Sequence, residues 1–261
     1  MSKTPNPLLS ISECEQVRLQ ENVRRLGSTI NLFDIVLQLY SKLAVLLFAS
    51  RLGFYAPFFV VVNCLYSNRH QLMIGTLSLL RDHNRESHYN LRSTIESAAF
   101  AVHTLKNPDF AKLWCNARSS SSAFNRYKSK YPLSALVTAM ENGQLDSTYE
   151  WCNKKVHPTM FAFEGAAKWD SSQATQMPAR FEYEFKTFDT ESVSVVIDSF
   201  LYQMLVHIEA LASIGCQLSD TSPHFDMTNW LMAVVDARDV HKAEYAKWQP
   251  IIDNDPIFAR K

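Results

Sequence analysis

Apolar residues recur along most of this chain at three- and four-residue intervals, the signature of helices that bury one face. From Asn31 to about Ser50 the stripe is Leu32, Ile35, Val36, Leu39, Leu43 and Leu46-Leu47. A second runs from about Thr190 to Leu218 through Val193, Val196, Ile197, Phe200, Met204, Ile208 and Leu211. Between them the pattern predicts helices over Phe58–Asn84, Ser87–Leu105, Pro108–Asn116 and Asp146–Val156, with a short one opened by Pro132 and stopped at Asn142-Gly143. Ser12-Glu13-Cys14-Glu15 has capping-box spacing and starts a charged helix that fades at Gly27. A last helix is expected from about Asp226 to Trp248, stopped by Pro250. One interval departs from this rhythm. Phe181, Tyr183 and Phe185 alternate with Glu182, Glu184 and Lys186, so a small β-hairpin or flap is expected around 158–188. The fold class is therefore all-α, a helical bundle. Its expected organisation is N-terminal helices over 1–56, a bundle over 57–250 and a tail over 251–261.

Composition agrees with long helices. The 261 residues include only six Gly, so tight turns are scarce. The charges balance at 26 basic and 26 acidic residues, which leaves no global field to draw the chain onto nucleic acid or lipid; such binding needs a local patch. Five widely spaced cysteines, none in a C-x-x-C, argue against a disulfide framework or structural zinc and fit a reducing compartment. Leu43–Tyr66 is apolar enough to require a membrane test. Arg51 near its middle, with Gly53 and Pro57, splits it into two ordinary helix lengths. No signal peptide opens the sequence, and cytoplasmic is the expected location.

Two polar clusters interrupt the oily pattern. Arg92 and Glu96 stand one turn apart in Leu91-Arg92-Ser93-Thr94-Ile95-Glu96-Ser97-Ala98, a spacing that permits an ion pair on one helix face. Tyr149, Asn153 and His157 follow at i, i+4 and i+8 and share a face of the helix that ends at His157-Pro158. A joint network of all five would keep the charges paired inside the bundle. The bland alternatives are a structural ion pair for Arg92 and Glu96 and a helix C-terminal hydrogen bond for His157.

These segments, with Asn107-Pro108-Asp109 and the nearby Trp114, resemble the bacterial HEPN-like helical proteins. They are closest to the branch with an L-R-x-x-x-E helix and a Y-x-x-x-[SN]-x-x-x-H-P helix end, over roughly Phe58–Leu218. The resemblance implies a helical bundle that often dimerises, works in toxin–antitoxin or phage-defence loci, and in some members is a metal-independent ribonuclease. Here Asn153 stands where serine is expected. The nuclease pattern, an Arg and a His with four to six residues between them, does not end at His157. Arg81 and His88 do fit that spacing, and chance alone supplies roughly one such match in a chain of this composition.

RNA has a second route. Between Lys112 and Lys130 lie Lys112, Arg118, Arg126, Lys128 and Lys130 without an acid, interleaved with Phe124, Tyr127 and Tyr131; Lys154 and Lys155 add charge beside His157. The same run also reads as a solvated helix face. His207 and Glu209 point to different helix faces, and His241 with Glu244 lacks a companion E-x-x-H, so no metal site is expected. No Gly-rich phosphate loop, HExxH or nucleophile elbow occurs, and no cofactor is expected. Two functions remain: a binding protein whose partner is a protein, a second copy of itself or RNA, and a ribonuclease using Arg81/His88 or His157. A membrane-associated helical protein is the third.

Overall fold

A computed structural model describes residues 7–50, 56–117, 120–123, 125, 132–156 and 193–255. Among these, all regular structure is helical and the architecture is an all-α bundle. The helices are α1 (Pro7–Leu26), α2 (Asn31–Ala49), α3 (Ala56–Leu80), α4 (Asn84–Lys106), α5 (Pro108–Ala117), α6 (Leu133–Thr138), α7 (Gly143–Val156), α8 (Val193–Thr221) and α9 (Thr228–Asp253). A 3-10 turn, Gly27–Ile30, links α1 to α2. The hairpin expected around 158–188 falls outside the described residues.

Helix α8 is the axis of the bundle and touches α1, α2, α3, α4, α7 and α9. Its Ile197, Phe200, Leu201, Met204, Ile208 and Leu211 are wholly buried, because apolar side chains occupy nearly every face. Helices α3 and α4 form the most extensive antiparallel pair, and buried Ala98, Ala99 and Ala101 present small side chains along α4. One hydrophobic core joins residues from α1 through α9.

The expected breaks differ from the observed ones in four places. Helix α1 already runs from Pro7, so Ser12 lies within it and does not start it. The other three each have a local cause. The third helix ends at Leu80 rather than Asn84, because Asp82 takes φ +63° and turns the chain. That turn is fastened to α1: Arg18 Nε lies 3.2 Å from Asp82 Oδ2, and Asn22 Nδ2 donates to Asp82 Oδ1 and the Leu80 carbonyl, both at 3.1 Å. Gly143 begins α7 instead of ending α6, since Asn142 Oδ1 accepts the Leu145 N–H at 3.2 Å and caps the helix. Pro250 does not stop α9. The helix runs on to Asp253, where Ile252 is buried, Asn254 Nδ2 donates to the Pro250 carbonyl at 2.6 Å, and Ser194 donates to the Asp255 carboxylate. One forfeited backbone bond near a helix end costs less than the apolar contact it would release.

Candidate binding site at the crossing of helices α4 and α7

Arginine and glutamate at i and i+4 on α4 meet through Arg92 Nε and Glu96 Oε1 at 2.9 Å. The same Glu96 oxygen accepts the Tyr149 hydroxyl of α7 at 3.1 Å, and the Arg92 guanidinium lies 5.7 Å from the Tyr149 ring centroid. Side-chain exposures of 23% and 19% make Arg92 and Glu96 partly buried, enough to strengthen the pair without the full desolvation penalty. Burial works against the Arg92 charge, but Glu96 and Tyr149 outweigh it and hold the guanidinium above its ordinary range. Burial and the neighbouring Glu96 charge raise the Tyr149 phenol. Asn153 lies one turn on from Tyr149, near enough to ease ionisation of its phenol, with its Oδ1 buried and without a protein partner. Four of the five residues expected to form one polar network therefore stand together. The fifth, His157, lies just past α7 and outside the described residues.

The seam continues toward the start of α4. His88 Nδ1 lies 2.5 Å from the Asn84 carbonyl, so that nitrogen carries the proton. Its ring meets Trp151 edge-on at 4.3 Å, and Trp151 packs on Tyr202 of α8 at 5.9 Å. Arg85 Nη2 donates to the Val156 carbonyl at 3.3 Å, closing the C-terminus of α7. The indole of Trp151 nevertheless keeps 39% of its surface exposed. Lys154 is exposed and Lys155 Nζ sits 6.0 Å from the Trp151 ring centroid. Burial, seconded by Lys155, pushes His88 down to about 4, so the ring is neutral at physiological pH and a feeble base.

No hydrogen bond or ring contact joins Arg81 to His88 among the described residues. Arg81 lies in the turn after α3 with Nε buried, while His88 faces Trp151. Cys152 of α7 is buried, which pushes its thiol up to about 12. Lys112 of the basic run pairs with Asp109 at 2.8 Å on an exposed turn; Arg118, Arg126, Lys128 and Lys130 fall outside the described residues. All five cysteines stand as free thiols, and no three His, Cys, Asp or Glu side chains converge among the described residues.

A second polar group, deeper in the bundle, has no counterpart among the expected sites. Tyr40 of α2 bonds His207 Nδ1 of α8 at 3.0 Å and also meets Asn68 of α3. Gln203, one turn before His207, crosses Gly75 so closely that a methyl there would collide with its amide. Asn68, Gln203 and His207 are essentially inaccessible, and the Asn68 and Gln203 amides and His207 Nε2 find no protein partner. The available sequence signal is an isolated amide inside an oily helical stripe, at Asn68 and again at Gln203.

The fold and the α4–α7 seam define an all-α bundle with a polar helix crossing. No family model, curated protein or solved structure matches the chain.

Proposed function

We propose that this chain is a HEPN-like helical protein of a bacterial defence or toxin–antitoxin type system, and that it binds single-stranded RNA without cutting it. The observation that carries the reading is Trp151. Its partly exposed indole is braced by His88 and Tyr202 and flanked by Lys154 and Lys155. A base can stack on a braced indole while lysines meet phosphates, and a stacked base contributes about 1–3 kcal/mol. Arg92, Glu96 and Tyr149 fix the helix crossing that presents this corner. The neutral, Asn84-bound His88 is poorly suited to activate a ribose hydroxyl.

The test is fluorescence anisotropy with a labelled RNA oligonucleotide at low salt. Trp151→Ala should weaken binding by roughly fivefold or more, and Lys154→Ala with Lys155→Ala should flatten the salt dependence. Binding that is indifferent to all three substitutions overturns the assignment. RNA cleavage by the wild type that disappears in His88→Ala or His157→Ala would replace it with the ribonuclease. Failure to bind RNA, with capture of the chain by its own second copy or an adjacent gene product, would replace RNA with protein.

A further inference from the structure

The interior of the bundle is more polar than a leucine-rich core requires. Tyr40 comes from α2, Asn68 from α3, and Gln203 and His207 from α8, and all four are 1% exposed or less. One chain of neighbours joins them. The Tyr40 hydroxyl lies 3.0 Å from His207 Nδ1, and Asn68 lies near enough to that hydroxyl to offset part of the rise that burial imposes on it. Gln203 stands one turn before His207 on the same face of α8. Gly75, two turns beyond Asn68 on α3, makes room for the Gln203 amide: a Cβ there would fall 2.6 Å from Gln203 Nε2.

Five polar atoms of this group meet no protein partner: Nδ2 and Oδ1 of Asn68, Nε2 and Oε1 of Gln203, and Nε2 of His207. Tyr40 donates to His207 Nδ1, so the ring proton resides on Nε2 and that atom is a donor. Each buried polar atom left alone lowers the folding equilibrium roughly five- to 150-fold. Together the five would cost about as much as the whole stability of a typical domain. Whatever satisfies them must meet three conditions. It is neutral, because no Asp, Glu, Lys or Arg belongs to the group and burial holds His207 down to about 3, uncharged at physiological pH. It both donates and accepts, since each amide presents one atom of either kind. It is small, because the Gln203 amide already fills the space that a methyl at Gly75 would take. Water meets all three.

We propose that the junction of α2, α3 and α8 is a binding site for ordered internal water, whose molecules bridge Asn68, Gln203 and His207. A buried water makes at most about four hydrogen bonds, so about two molecules are the fewest that reach all five atoms. Immobilised water carries an entropic cost, so the hydrated site stays less favourable than an apolar interior while removing most of the penalty of bare amides. The site is independent of RNA binding at Trp151.

The experiment is water-oxygen magnetic relaxation dispersion on the purified full-length protein, which counts water molecules held inside for longer than nanoseconds. Asn68→Leu with Gln203→Met removes both amides at nearly constant volume. The double variant should lose about two long-lived waters relative to the wild type, with circular dichroism and cooperative thermal melting establishing that it folds. Equal dispersion amplitudes in the two proteins overturn the proposal. A measurement on the wild type alone covers a variant that does not fold. Water-selective NOE spectra should show transfer from water to the side-chain amide protons of Asn68 and Gln203. Amide signals that are resolved and assigned yet receive no transfer from water overturn the proposal as well.

Discussion

Gly215 of α8 lies against Trp230 of α9, and the packing there sets a sharp requirement. A Cβ at position 215 would come closer than 3.0 Å to Trp230 Cζ3, at 3.1 Å from Cη2 and 3.2 Å from Leu231 Cδ2. Trp230 has nowhere to go: it is 3% exposed, and its indole N–H donates to the Leu39 carbonyl of α2 at 3.0 Å. Gly215→Ala must therefore push α8 and α9 apart by roughly an ångström or turn the indole off its acceptor. Overpacking costs about 1–3 kcal/mol, and a lost buried hydrogen bond about 1 kcal/mol more. Against these, alanine gains up to about 1 kcal/mol over glycine in a helix. The net expectation is destabilisation by about 1–3 kcal/mol, or roughly 2–10 °C in Tm for a chain of this size. Gly143→Ala is the control, because nothing lies within 4 Å of its added Cβ and the position begins α7. It should be neutral or stabilising by less than about 1 kcal/mol. Urea denaturation followed by far-ultraviolet circular dichroism and tryptophan fluorescence measures both. Equal or greater stability of Gly215→Ala would show that the α8–α9 contact is looser than described.

Acid should unfold the protein early. Burial, with Lys155 nearby, holds His88 down to about 4, and burial holds His207 down to about 3, whereas an unfolded histidine takes its proton near 6.5. Between these values the unfolded chain binds more protons, so their contribution is present above pH 6.5 and is lost as pH falls toward 4, at about 1.4 kcal/mol per pH unit per histidine. A urea midpoint that stays level from pH 7 to 5 would contradict this. Tyr149→Phe should cost about 1–2 kcal/mol by removing a bond to a carboxylate, and Glu96→Ala should cost more, because it removes the carboxylate that both Arg92 and Tyr149 bond; equal midpoints for the two variants would show that the Arg92–Glu96 pair contributes nothing. In a thiol titration of the native protein, exposed Cys115 and Cys216 should react rapidly, while Cys64 and Cys152, each pushed up to about 12 by burial, should wait for unfolding.

Local periodicity made the helices legible, and i, i+4 spacing set Arg92 beside Glu96 and Tyr149 beside Asn153, while the meeting of the two pairs is a tertiary contact. Those signals depend only on neighbours in sequence. The run of α9 past Pro250 depends on Ile252 finding the core, a tertiary gain that no local rule contains. The end of α3 at Leu80 depends on Arg18 and Asn22 of a distant helix holding Asp82. Asn142-Gly143 carries turn chemistry that serves a helix start as well as a stop. Between Arg81 and His88 lie the end of α3 and the start of α4, so their sequence spacing does not set them on one helix face.

The buried meeting of Tyr40, Asn68, Gln203 and His207 has a consequence for how the bundle finds its arrangement. Leucine and valine faces are nearly interchangeable, and a helix sliding by one turn would still bury oil against oil. Such a slip of α8 would carry His207 away from Tyr40 and leave both polar groups in an apolar contact, at about 1–3 kcal/mol for each stranded group. The amides of Asn68 and Gln203 tax the native arrangement as well, so overall stability is lower than an all-apolar interior would provide. In exchange, misregistered bundles are penalised further, and the gap between the native helix order and its nearest competitors widens. These few polar atoms act as an address, telling α2, α3 and α8 which turn of each belongs beside which.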